Sequence, residues 1–299
     1  MGTARHLVLV NPSAGGGRAR EALPELELAL RSRGIEYRLV MTTSLQHGCE
    51  EARRGASRGE IPVVMSGDGL IGQIGGVLAG GDVPLGVIPG GRGNDFARVV
   101  GIPTEIPAAV DLLAAGNTRA VDVGEVNGRR FLCIASCGFD SDANRIANDA
   151  RFVRGKLVYL YAALRTLAAW RPARFRLVLD GEHREVTGYS VAAANSKAYG
   201  GGMFLAPGAE LDDGKLDVVY IGDIGKLRYL ANLPKVFKGS HVQNEEVTVI
   251  RASEVEISAD RPFAVYADGD HLADLPARVR VLPRALNVIA PGAASADGG

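Results

Sequence analysis

The residue types best suited to chemistry sit in short glycine-bearing stretches. In Ser66-Gly67-Asp68-Gly69-Leu70 a carboxylate stands between two glycines, after the β-branched run 61–65 and before an apolar series (Leu70, Ile71, Ile74, Val77, Leu78) at helical spacing. Strand, tight turn and helix in that order aim backbone N–H groups and the positive helix end at an anion. Glycine lets the backbone come close. Asp68 would repel that anion unless a divalent cation stood between them, which points to a nucleotide carried with Mg²⁺. The plainer alternative is an acid that caps the helix holding Gln73. A second carboxylate of interest is Asp270, placed after a strand and turn at 263–269. There it can take a proton from an alcohol, or serve as an ordinary acidic turn residue.

Gly67, Gly69 and Gly72 also satisfy G-x-G-x-x-G, with Asp95 roughly where a ribose-binding acid belongs, about 20 residues on. An acid inside the turn would then face a pyrophosphate with no metal, which counts against a dinucleotide oxidoreductase.

These residues need a scaffold, and the hydrophobic pattern supplies one. Residues 1–124 alternate strands (6–10, 35–40, 61–65, 83–88) with helices (18–33, interrupted early by Pro24, then 45–57, 70–78 and 106–115). That rhythm predicts an α/β domain with a parallel sheet, whose ligands lie beyond the carboxyl ends of the strands. Three glycine turns fall at such ends: Asn11-Pro12-Ser13-Ala14-Gly15-Gly16-Gly17, then 66–69, then Pro89-Gly90-Gly91-Arg92-Gly93-Asn94-Asp95. They suggest one composite phosphate site, and none carries the Gly-Lys-Ser/Thr of a Walker loop. From 125 to 284 the pattern is β-rich (130–135, 174–179, 186–193, 216–221, 246–250, 255–258, 263–267, 278–282), predicting an antiparallel sandwich. Residues 285–292 are expected to return to the first domain, 293–299 to form a disordered tail, and a cleft to lie between the domains.

The totals exclude several classes. The chain has 299 residues, with 34 Lys plus Arg against 34 Asp plus Glu, so no global field attracts nucleic acid. Three cysteines, Cys49, Cys133 and Cys137, argue for a reducing compartment and lack metal spacing. His47, His183, His241 and His271 show no metal spacing either. No apolar run reaches the ~20 residues of a membrane span, and the chain enters a strand at residue 6 without a secretory segment. A soluble cytoplasmic protein is expected, with a peripheral contact at the inner membrane face left open.

Taken in order, the motifs resemble those of the soluble bacterial diacylglycerol kinase-like lipid kinases, related to sphingosine kinases and more distantly to NAD kinases. Asn11-Pro12-Ser13-Ala14-Gly15 resembles their opening Asn-Pro-x-x-Gly, and 66–70 their Gly-Gly-Asp-Gly-Thr. Gly91-Arg92-Gly93-Asn94-Asp95-Phe96-Ala97-Arg98 is similar to Gly-Thr-x-Asn-Asp-Phe-Ala-Arg. Tyr199-Gly200-Gly201-Gly202-Met203, Ala206-Pro207 and 211–217 resemble the second-domain signature, and Asp268-Gly269-Asp270 stands where the family has Asp-Gly-Glu. The resemblance implies ATP in the interdomain cleft and transfer of its γ-phosphoryl to a neutral lipid, diacylglycerol first, with Asp270 as general base and Asp68 orienting Mg²⁺. The candidate nucleotide contacts are Asn11, Pro12, Ser13, Ala14, Gly15, Thr42, Gly67, Asp68, Gly69, Leu70, Gln73, Arg92, Gly93, Asn94 and Asp95. It also implies a structural Mg²⁺ held by the Asp213 carboxylate and the carbonyls of Glu210 and Lys215; the plain reading of Asp213 is a turn acid.

Three departures stand out. Leu70 replaces a phosphate-bonding hydroxyl, Asp270 is one methylene shorter than Glu, and Arg92 replaces a Thr but can clamp phosphate. Two basic stretches with apolar residues, 152–170 and 226–238, suit either an anionic membrane surface or a core-facing helix. A sphingoid-base or ceramide kinase and a non-catalytic nucleotide- or lipid-binding module remain alternatives, and a homodimer is left open.

Overall fold

The computed structural model describes residues 5–139, 141, 142, 146, 165–167 and 169–292. The chain divides into two compact units, one comprising residues up to Val123 together with those from Pro283 onward, the other Gly124–Leu282. Most of 152–170 and all of 293–299 lie outside the described residues.

The first unit is built on four parallel strands, β1 (His6–Val10), β2 (Tyr37–Met41), β3 (Ile61–Ser66) and β4 (Gly86–Pro89), in the order β2-β1-β3-β4. Every residue of β1 is buried, as expected of a parallel strand covered on both faces. The helices are α1 (Arg18–Glu21), α2 (Leu23–Ser32), α3 (Leu45–Ser57), α4 (Asp68–Leu78), α5 (Asp95–Val100) and α6 (Ile106–Ala115). The expected helix at 18–33 is broken between α1 and α2, and Pro24 sits in the first turn of α2, where its missing N–H costs nothing. Ser44 caps α3 by accepting the His47 N–H at 3.0 Å. The short α5 escaped the sequence reading because six residues carry too little periodicity to register. The returning strand lies beside β4, with the Leu85 N–H donating to the Asn287 carbonyl and the Ile289 N–H to that of Leu85, both at 2.8 Å.

The second unit is antiparallel. Its strands are β5 (Thr118–Val126), β6 (Arg129–Phe131), β7 (Ile134–Gly138), β8 (Ala173–Leu179), β9 (Glu182–Ala194), β10 (Leu216–Gly222), β11 (Val247–Ala252), β12 (Glu254–Ala259), β13 (Ala264–Ala267), β14 (Asp270–Asp274) and β15 (Ala277–Ile289), and it carries the helix α7 (Lys226–Val236). β5 and β15 begin or end in the first unit. β9 pairs with β8 along its first half and with β7 and β10 along its second, so it turns a corner. Gly188 marks that corner. A Cβ there would lie 2.0 Å from the Ile221 carbonyl oxygen, so no side chain fits. The core is aromatic: Phe139, Trp170, Tyr189, Tyr229 and Phe263 pack ring on ring, Tyr189 stacking on Tyr229 at 4.4 Å. Cys133 and Cys137 are buried within this unit. Among the described residues no helix is long and apolar enough to cross a membrane.

One sequence expectation is corrected here. The stretch read as one strand at 130–135 is β6 and β7 separated at Leu132 and Cys133, whose N–H groups turn to the Asp268 carboxylate (2.7 and 2.9 Å) instead of a neighbouring strand. Asp270 follows the β13 strand and its turn, as the first residue of β14.

Candidate functional site

The carboxyl ends of β1, β3 and β4 bring the glycine turns together around a hollow of about 400 Å³, within the range of roughly 300–1,000 Å³ common for small-molecule sites. Asn11, Ser13, Ala14, Gly15, Gly67, Asp68, Gly69, Leu70 and Arg92 line it, as do Gly16, Leu45, Ser66 and Gly91. Each turn is shaped by its own side chains. Asn11 accepts the Ser13 N–H and hydroxyl through Oδ1 (3.1 and 2.9 Å) and donates through Nδ2 to Ser66 Oγ at 3.3 Å, which ties the first turn to the end of β3. Gly15 has φ 63°, and a Cβ on it would stand 2.7 Å from the Gly90 carbonyl oxygen.

Asp68 opens α4 without capping it. Its Oδ1 accepts the N–H of Phe96, in the first turn of α5, at 3.1 Å. Burial raises the Asp68 carboxyl above the usual carboxylate range and the Asp95 charge adds to this, while backbone N–H donors, Phe96 foremost, oppose. A carboxylate disfavoured by burial and by a neighbouring acid gains from a cation. Asp95 itself is 3% exposed and paired with Arg98 at 3.1 Å, so it is not offered to a ribose. Asn94, at φ 53°, accepts the Gly91 N–H at 2.8 Å and donates back to the Gly91 carbonyl at 3.3 Å, so its amide shapes the third turn.

Other candidates stand back from the hollow. Leu70 borders it, but its side chain is buried toward α3, where a Cβ on Gly48 would come 2.8 Å from Leu70 Cδ1. Thr42 is buried and donates to the Val10 carbonyl at 3.3 Å, and the Gly93 carbonyl accepts from Arg98 at 3.2 Å. Pro12 and Gln73 are half-buried beside the site and outside its lining. Sequence reasoning missed Arg18, which donates through Nε to the Gly15 carbonyl and through a terminal nitrogen to the Gly91 carbonyl, both at 3.1 Å. The signal was present: a cation three residues beyond the turn glycine, at a helix start. Arg92 approaches the same place, a terminal nitrogen lying 3.6 Å from where a Cβ on Gly16 would be.

In the second unit, Asp270 is half-buried and pairs with Ala267 across the two-residue turn Asp268-Gly269 (φ 52° and 93°). The Asp268 carboxylate anchors that turn to the Leu132 and Cys133 N–H groups.

The expected metal loop has a different arrangement. Asp213 accepts the Lys215 N–H at 2.9 Å through one oxygen and is ion-paired with Arg251 through the other. Arg251 faces Asp217 across β10 and β11, with 3.7 Å between Nε and the carboxylate. Burial pushes the Asp217 carboxyl up; Arg251 opposes this, and the Asp213 and Glu210 charges add to it. Among the described residues no three His, Cys, Asp or Glu side chains converge as a metal set. The Asp213 carboxylate that the resemblance assigns to a second ion, with the Glu210 and Lys215 carbonyls, is here paired with Arg251.

Comparison with known proteins agrees with this architecture. Residues 5–126 match the diacylglycerol kinase catalytic domain, and residues 133–290 match the YegS C-terminal NAD kinase beta sandwich-like domain. A diacylglycerol kinase of Mycobacterium tuberculosis (strain CDC 1551 / Oshkosh) is 37% identical over 291 residues, 95% of this chain and 94% of its own. One from Bacillus subtilis (strain 168) is 28% identical over 96% of both chains. The crystal structure of a diacylglycerol kinase from Bacillus anthracis (strain Sterne) superposes with a TM-score of 0.75 at 22% identity, covering 97% of this chain and 98% of that one, a likeness of fold.

Proposed function

The chain belongs to the diacylglycerol kinase family, and we propose that it transfers the γ-phosphoryl group of ATP to the hydroxyl of diacylglycerol, giving phosphatidate. The observation that carries this reading is the meeting of three glycine turns around one hollow, with the half-buried Asp68 in its lining.

Phosphoryl transfer asks the protein for positioning and for neutralisation of oxygens more than for covalent chemistry. The turn amides and the first turn of α4 supply donors to the phosphates, and Arg92 adds a fork-shaped cation. Asp68 would orient the Mg²⁺ that travels with ATP, which when bound supplies charge neutralisation of the phosphoryl oxygens. In the second unit Asp270 takes the proton of the lipid hydroxyl. The hydroxyl oxygen bonds to the γ-phosphorus as the bridging bond to the β-phosphate breaks, and ADP leaves with that electron pair. Asp268 holds the turn on which Asp270 is presented. Because the acceptor resides in a bilayer, the enzyme works from the cytoplasm at the membrane surface.

Incubating the protein with γ-labelled ATP and a total lipid extract tests the reading. Labelled phosphatidate is the expected product. Label in a sphingoid base or ceramide would move the acceptor, and bound ATP with no labelled lipid would leave only a binding module.

A further inference from the structure

α7 has its inward face settled by the core. Tyr229 and Val236 are buried, and Leu230 and Leu233 pack against the same aromatic cluster. The remaining face is apolar as well. Leu227 is 84% exposed, more than any other large apolar side chain among the described residues, and Phe237, just past the helix, is 55% exposed. Ala231 and Pro234 follow Leu227 at helical spacing and are exposed too. This outward stripe is flanked by Lys226, Arg228, Lys235 and Lys238, all exposed, and no Asp or Glu occurs between Asp223 and Glu245. Arg228 is held at the flank by Glu246 at 3.1 Å, and Lys235 by the Asn244 amide oxygen at 3.1 Å.

We propose that this face seats the protein on a bilayer containing anionic phospholipid, with Leu227 and Phe237 entering the interface and the flanking lysines meeting the headgroups. An apolar strip rimmed by cations, with no carboxylate on its own segment, complements a uniformly anionic, apolar-backed surface. A protein partner with a mixed-charge rim would be met with acids as well as bases on this segment. The inference deepens the lipid-kinase reading by naming how the acceptor's bilayer is engaged.

The full chain is floated with phosphatidylcholine vesicles, alone or mixed with phosphatidylglycerol, beside the variant Leu227→Glu/Phe237→Glu. The wild type should float with the anionic vesicles alone and be released by high salt. The variant should partition at least tenfold more weakly, with its melting temperature and its activity on monomeric short-chain diacylglycerol unchanged. Equal flotation of the variant, or none of the wild type, overturns the proposal; so does binding that ignores salt and vesicle charge. Salt-released flotation of a wild type that phosphorylates no lipid would uphold the docking face while removing the kinase reading.

Discussion

The Asp68 carboxylate in the first turn of α4 accepts the Phe96 N–H in the first turn of α5 at 3.1 Å. One acid therefore joins the turns after β3 and β4 and points their helix ends at a common hollow.

The protonation of Asp68 gives the first prediction. Its carboxyl is raised from 3.8 by burial and by Asp95. For an acid raised on folding, the cost is absent below the unfolded-state value and grows as pH rises through the folded one. Asp68→Asn keeps an oxygen for Phe96 and removes that cost. At neutral pH the variant should melt at or above the wild-type temperature, the difference closing as pH falls to about 4, the ordinary carboxylate range. Its kcat/KM should drop on the order of 10²-fold or more, as for other lost electrostatic contacts in active sites. A variant that melts lower at neutral pH would contradict this account of Asp68.

Arg92 should act on ATP. Arg92→Thr is expected to raise the KM for ATP roughly tenfold, the equivalent of ~1.4 kcal/mol, with little change in kcat. Restoring a hydroxyl at 70 should not rescue it, since Leu70 points toward Gly48. Leu70→Thr should instead cost roughly 1–3 kcal/mol of stability by leaving a buried hydroxyl against α3, read from denaturant unfolding.

Arg18 is a strut between two phosphate turns. Arg18→Ala should raise the KM for ATP several-fold while leaving the melting temperature within a few degrees. Lysine, with one head group, should span the Gly15 and Gly91 carbonyls poorly and rescue only in part. Full rescue by Arg18→Lys would show that charge alone matters there.

At the Asp213 loop, Arg251 pairs with the carboxylate that the resemblance assigned to a structural ion, and we propose that it takes the ion's place. The melting temperature of the nucleotide-free protein should not change between EDTA and millimolar Mg²⁺. Arg251→Ala should lower it and make it rise with Mg²⁺, by about 2.7 kcal/mol of stability at a hundredfold excess over the dissociation constant. A wild type stabilised by Mg²⁺ without nucleotide would place an ion in the loop after all.

Much of the site was readable along the chain because its parts are local. A β-branched run, a glycine turn and a helical apolar series announce the Asp68 turn within 18 residues, 61–78. The packing partners were not readable. Nothing near Asp213 marks Arg251 as its neighbour; the β10–β11 register brings them together from 38 positions apart. The break at Leu132 and Cys133 is likewise made by Asp268, 136 residues from Leu132. Leu70 looked like a lost hydroxyl in sequence, and only the absence of a side chain on Gly48 shows where it goes.

The most direct measurement pairs Asp270→Asn with the wild type, following equilibrium ATP binding and, in parallel, γ-phosphoryl transfer to short-chain diacylglycerol. The account predicts unchanged ATP affinity and a loss of transfer of at least 10²-fold, the scale of a lost general base. Transfer at the wild-type rate by Asp270→Asn would contradict it.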